Sequence, residues 1–193
     1  MHKLVVLASG SGSNFQAIID AIHRGDIDAQ IVGLITNKSE IGAIERAEKN
    51  SIPVKVVSPS DPTHFNQNLL NTLLEWNPDL IVLAGFLKKI PDKVIEAFSG
   101  KIINIHPSLL PKYGGKGFYG KRVHQAVINA KETESGCTVH LVDEKYDTGA
   151  IIEQVVVPIL PTDDAETLAK KVLKQEHKLL PKIINKILTE KYS

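Results

Sequence analysis

The sequence predicts an α/β fold: a doubly wound, mostly parallel sheet with helices on both faces. Three observations carry that expectation. Short apolar runs alternate along the chain with stretches whose apolar residues recur at helical spacing. The strand-like runs are predominantly apolar, as strands covered on both faces are. Regular alternation of strand and helix implies right-handed crossovers and hence parallel pairing. With 193 residues, 42% of them apolar, and no repeat or linker, the chain is expected to form one domain over residues 1–193.

The elements follow in order. KLVVLA (3–8) reads as a buried strand. Ser13 or Asn14 is placed to cap a helix carrying Phe15, Ile18, Ile19 and Ile22, with Gly25 ending it. QIVGLIT (30–36), PVKVVS (53–58), DLIVLAG (79–85) and KIINIH (101–106) read as further strands, with helical stretches at about 41–50, 62–76 and 91–98. GCTVHLVD (136–143) and GAIIEQVVVP (149–158) are separated by one short loop, so an antiparallel addition is expected. Residues 162–189 read as a last helix, with Thr162 as cap, Asp163 and Asp164 at its positive end, and a kink or break at Pro181.

Bulk properties exclude several function classes. Lys and Arg number 23 against 22 Asp and Glu, a net charge of +1, which gives no electrostatic reason to expect a nucleic-acid or membrane partner. The single cysteine, Cys137, rules out an internal disulfide and any multi-cysteine metal site. The first apolar run is too short for a signal segment, and a cytoplasmic location is expected.

In an open α/β sheet ligands bind beyond the carboxyl ends of the strands. After the first strand stands ASGSGSN (8–14), where Gly10 and Gly12 permit tight turns and the next helix offers free N–H groups to an anion. It lacks the third glycine of a dinucleotide fingerprint, since Phe15 stands there, and no Walker lysine follows. A monophosphate cradle and a plain β–α turn both satisfy it. After the fifth strand, Asn104 and His106 are two apart on extended chain and point to one face. They read either as a buried histidine beside a turn-forming asparagine, or as a carboxamide and a general acid aimed at one carbonyl. DEKYDTG (143–149) sets Asp147 in a turn, by turn chemistry or for function. In the last helix Ala165, Leu168, Val172, Leu179 and Ile183 share a face, and Glu176 falls within that apolar arc. A carboxylate there reaches water at the edge, or pairs, or meets a ligand. Lys170, Lys174, Lys178, Lys182 and Lys186 form a row read as solvated.

NIHPSLLPKY (104–113), with ASGSGSN, LAGF (83–86), VDEKYDTG and KQEHKLLP (174–181), closely resembles the glycinamide ribonucleotide formyltransferases of purine synthesis, over essentially the whole chain. HPSLLP alone marks the wider formyltransferase group, which includes methionyl-tRNA formyltransferase and formyltetrahydrofolate hydrolase. SGSGSN is the discriminating piece, and neither an extra C-terminal domain like that of the tRNA enzyme nor an N-terminal regulatory domain like that of the hydrolase is expected. The resemblance implies a Rossmann-like formyltransferase fold. It also implies formyl transfer from 10-formyltetrahydrofolate, as co-substrate and without a metal, to the glycine amine of the ribonucleotide. By motif it implies Asn104, His106 and Asp147 as the catalytic group, with Asp147 raising the His106 pKa. Gly12, Ser13, Asn14 and Glu176 would hold the ribonucleotide. Leu87, Lys88, Lys89, Ile90, Asn104, Val142, Asp143 and Asp147 would line the folate site. Residues of about 1–100 would then form the ribonucleotide side, and about 101–193 the catalytic and folate side plus the C-terminal helix. The partners implied are small molecules, with the chain a monomer or homodimer.

Overall fold

The structure, a computed structural model, describes residues 1–58 and 62–191. Its strands are β1 (His2–Ala8), β2 (Ala29–Thr36), β3 (Val54–Val56), β4 (Leu80–Leu83), β5 (Ile102–His106), β6 (Glu134–Leu141) and β7 (Ile151–Pro158). They form one sheet in the order β3-β2-β1-β4-β5-β6-β7. The first five pair in parallel, while β6 runs antiparallel to both β5 and β7. The expected antiparallel addition is thus present. The chain leaves β1 towards β2 and β3, then returns to place β4 and β5 on the other side of β1. That reversal opens a crevice at the carboxyl ends of β1 and β4.

The helices are α1 (Ser13–His23), α2 (Gly42–Lys49), α3 (Pro62–Trp76), α4 (Asp92–Ala97), α5 (Lys121–Asn129) and α6 (Ala165–Lys191). Strand β1 shows why both faces need covering. Leu4, Val6 and Ala8 join one core with residues of α1, α2, α5 and α6, whereas Val5 and Leu7 join a second core with residues of α3 and α4. Alternation of side chains across the pleat makes the whole run apolar.

Three local expectations are corrected, and one helix is added. Neither Ser13 nor Asn14 caps α1; Gly12 holds that position in the left-handed region at φ 74°, with no side-chain cap. A Cβ on Gly12 would stand 2.8 Å from the Ala43 Cα, so α2 packs against the turn too closely for a side chain. The cap of α6 is Asp164 rather than Thr162. The Thr167 N–H donates to Asp164 Oδ1 at 2.8 Å, and the Asp164 N–H donates to Thr167 Oγ1 at 2.8 Å. Of the kink or break expected at Pro181, the break is absent, since α6 runs through it as one helix. A proline there costs about 3 kcal/mol, but Leu179, Leu180, Ile183 and Ile184 are buried around it, each contributing roughly 1.5–3 kcal/mol. Burial wins. Beyond the expected elements, the glycine-rich segment after Tyr113 leads into a further helix, α5, whose Val123, His124 and Val127 face inward.

Candidate active site

Strand β5 ends beside β6 in a register that sets Asn104 opposite His140 and His106 opposite Thr138. The carbonyl of Leu141 can only accept, so the His140 Nδ1–H donates to it at 2.8 Å. Nε2 of His140 then carries the lone pair and accepts the Asn104 Nδ2–H at 3.0 Å. The second amide hydrogen of Asn104 points to Asp147 Oδ1 at a longer 3.4 Å. His106 is fixed by the same logic: its Nε2–H donates to the Tyr113 carbonyl at 2.8 Å. Its Nδ1 stands 3.6 Å from Asp147 Oδ2, beyond hydrogen-bond distance. Asp147, at φ 57°, is a residue type that tolerates the left-handed region, and its Oδ2 accepts the Gly115 N–H at 2.8 Å. The structure thus brings Asn104, His106 and Asp147 together. His140 is a fourth member that the sequence reading missed.

The segment after His106 is pinned from β6 and β7. Thr138 Oγ1 donates to the Ser108 carbonyl at 2.6 Å and accepts the Leu110 N–H at 3.1 Å. Gln154 Nε2 donates to the Leu110 carbonyl at 2.9 Å and to Thr138 Oγ1 at 2.8 Å. These bonds position the Tyr113 carbonyl, and through it the imidazole of His106.

Charge in the site is set by burial and contacts in competition. Burial pushes the His106 pKa down, and His140 adds to that. Asp147 and the bond to Tyr113 push it up, but burial outweighs them, so the net shift is downward. The expected upward influence of Asp147 is thus present, but in the free protein it is smaller than the effect of burial. Burial alone would raise the Asp147 carboxyl. The neighbouring His140, the charge of His106 and the Gly115 N–H together hold it below the usual carboxylate range. A neutral imidazole beside an ionised carboxylate results.

Around this group lie two spaces. A cavity of about 770 Å³ runs from Ser13 and Asn14 at the start of α1, past His106, to Glu176 on α6, walled by Gly115–Lys121. A narrow cleft of about 60 Å³ is lined by Lys88, Lys89, Ile90, Val142 and Asp143. Phe86, Asn104, Tyr146 and Asp147 line both. Of the residues expected for folate, only Leu87 borders the larger space alone. Lys89 is drawn to Asp92 by a 2.9 Å bond. Gly12 borders neither space and serves the turn. Lys170, Lys174, Lys178, Lys182 and Lys186 of α6 are exposed, as expected. Glu176 is buried, 7% exposed, and Asn14 Nδ2 donates to its Oε2 at 2.6 Å. Burial raises its pKa against the opposing effect of that bond. The Cys137 thiol, pushed up to about 12 by burial and then by Glu176, is no nucleophile. Among the described residues no three His, Cys, Asp or Glu side chains cluster as a metal site, and no helix is long and apolar enough to cross a membrane.

This crevice, with an amide, an imidazole and a carboxylate at a strand's end, sits in a fold whose class is settled by comparison. The chain belongs to the formyl transferase family, whose sequence model matches residues 2–184. Within it, the chain is 45% identical over 199 residues to the chloroplastic phosphoribosylglycinamide formyltransferase of Vigna unguiculata, covering 98% of this chain and 62% of that protein. It is 42% identical over 187 residues to the trifunctional purine biosynthetic protein adenosine-3 of Drosophila melanogaster, covering 94% of this chain and 14% of that one. The chain thus spans less than two thirds of the length of these curated relatives. The crystal structure of glycinamide ribonucleotide transformylase 1 from Geobacillus kaustophilus superposes with a TM-score of 0.90 at 40% identity, covering 97% of this chain and 99% of that one.

Proposed function

We propose that the chain transfers the formyl group of 10-formyltetrahydrofolate to the glycine amine of 5'-phosphoribosylglycinamide, in de novo purine (IMP) biosynthesis. The observation that carries this reading is the meeting of two spaces at Asn104 and Asp147. One is large, with a helix start and a buried carboxyl. The other is narrow, with apolar walls at Ile90 and Val142. The first suits a phosphorylated sugar: Ser13 and Asn14 stand where free helical N–H groups favour a phosphate, and Glu176 faces ribose hydroxyls. The second suits the edge of a planar heterocycle held between apolar walls. On this reading residues of about 1–100 supply the phosphate loop and Leu87–Ile90, and about 101–193 the catalytic group, the remaining folate contacts and Glu176. The curated relatives' names, and the residues matching the family's motifs, support the same assignment.

When bound, the folate supplies a formyl carbon open to attack by an amine. Asn104 has one N–H held firmly by His140, and the other, at 3.4 Å from Asp147, is the donor a developing oxyanion can take over. His106, neutral in the free protein, can accept the proton that the attacking amine sheds on Nδ1. Asp147 Oδ2 steadies the imidazolium so formed, and the same proton can pass to the departing folate nitrogen. Asp147 remains a carboxylate throughout. A cytoplasmic site of action belongs to this proposal, supported by the single, buried, unpaired Cys137.

The test is an absorbance assay of folate deformylation with and without the ribonucleotide. Turnover that depends on the ribonucleotide is expected. Equal turnover without it would mark a hydrolase and overturn the reading.

A further inference from the structure

His124 lies outside the reaction scheme above, yet it is 5% exposed and lines the 770 Å³ cavity together with His106. Its Nδ1 is sealed and has no hydrogen-bond partner among the described residues, which leaves Nε2 as the nitrogen on the cavity side. A buried N–H without an acceptor is a rare and costly defect, so the proton belongs on Nε2. Its neighbours on the inward face of α5, Val123 and Val127, fill space with hydrocarbon alone. A role in packing would be met by a third such side chain at lower cost. A polar ring kept here without a partner among the described residues implies a partner that arrives with the ligand.

We propose that His124 is a ribonucleotide-binding residue whose Nε2–H donates to an uncharged oxygen of that substrate, the glycinamide carbonyl beside the reacting amine. This rests on the reaction proposed above. Burial, and then the charge of His106, push the His124 pKa down to about 4, so the ring meets substrate as a neutral single donor. Such a donor suits a carbonyl better than a phosphate, which has the start of α1. Sensitivity to the charge of His106 also puts His124 at the reacting end of the cavity.

The experiment measures both Michaelis constants for wild type, His124→Leu and His124→Gln, since glutamine restores an N–H donor at similar reach. His124→Leu should raise the ribonucleotide KM about tenfold and the folate KM by less than about twofold, and His124→Gln should recover most of the loss. In wild-type protein the His124 Nε2–H resonance should move downfield as ribonucleotide is added, a readout that needs no variant to fold. Normal wild-type turnover with an unchanged ribonucleotide KM in His124→Leu refutes the assignment of His124 alone. So does a His124→Gln variant no better than His124→Leu. Absence of ribonucleotide-dependent turnover in the wild type refutes the reaction itself, and this assignment with it.

Discussion

Asp147 stands between two imidazoles, 3.6 Å from Nδ1 of His106 and 3.6 Å from Nε2 of His140, and takes a backbone N–H from Gly115 at 2.8 Å. Its carboxylate is the largest upward influence on a His106 pKa that burial otherwise holds low. Asp147→Asn keeps the shape and removes the charge. The His106 resonance, followed by NMR across pH, should therefore titrate below the ordinary 6.5 in wild type and lower still in the variant. Turnover should fall about 100-fold or more, because the imidazolium formed during proton transfer loses its counter-charge. A wild-type His106 titrating above 6.5, or a variant with near-normal kcat, would sink this account of the pair. The sequence showed that an amide, an imidazole and a carboxylate follow strands. It could not show the sign of the histidine shift, because desolvation is a property of packing.

At the scale of elements, what was legible followed from local periodicity and what was missed followed from distant pairing. Five parallel strands announced themselves as apolar runs. His140 did not, since its partner Asn104 lies 36 residues away and meets it only through the β5–β6 register. Helix α5 escaped because Gly114, Gly115, Gly117 and Gly120 crowd its start and give no local signal for a helix to begin. The start of α6 was misplaced because Thr162, Asp163 and Asp164 are all competent caps, and only geometry selects among them. That choice is testable. Asp164→Ala removes the acceptor for the Thr167 N–H and should lower Tm by about 3 °C. Thr162→Ala should leave Tm within about 1 °C by the same principle, because a surface residue free of the cap contributes little. Circular dichroism melts of the two variants would decide it, and the reverse order would restore Thr162 as the cap.

For the whole molecule, the polar groups sealed beneath the site make stability depend on pH, and their signs differ. His124 has a folded pKa of about 4 against an ordinary 6.5. Below 6.5 the unfolded chain takes up a proton on this ring while the folded protein does not, so stability is lost as pH falls towards 4. The loss amounts to about 3 kcal/mol. His106 and His177, whose pKa values are also lowered, act in the same direction. Glu176 opposes them: its raised folded pKa means that the native state binds the proton first, so stability is gained as pH falls through that value to the ordinary 4.5. Asp147 enters only below its ordinary 3.8, where protonation through its lowered folded pKa removes stability. A raw pH profile mixes all of these, and a double difference isolates one. The unfolding free energy of wild type minus that of His124→Gln, from urea titrations at pH 7 and pH 4, should shift by about 3 kcal/mol in favour of the variant at the lower pH. The other groups cancel, because both proteins carry them. A difference independent of pH would mean that the ring of His124 is protonated as readily in the folded protein as in water, and that the cavity wall admits solvent to it.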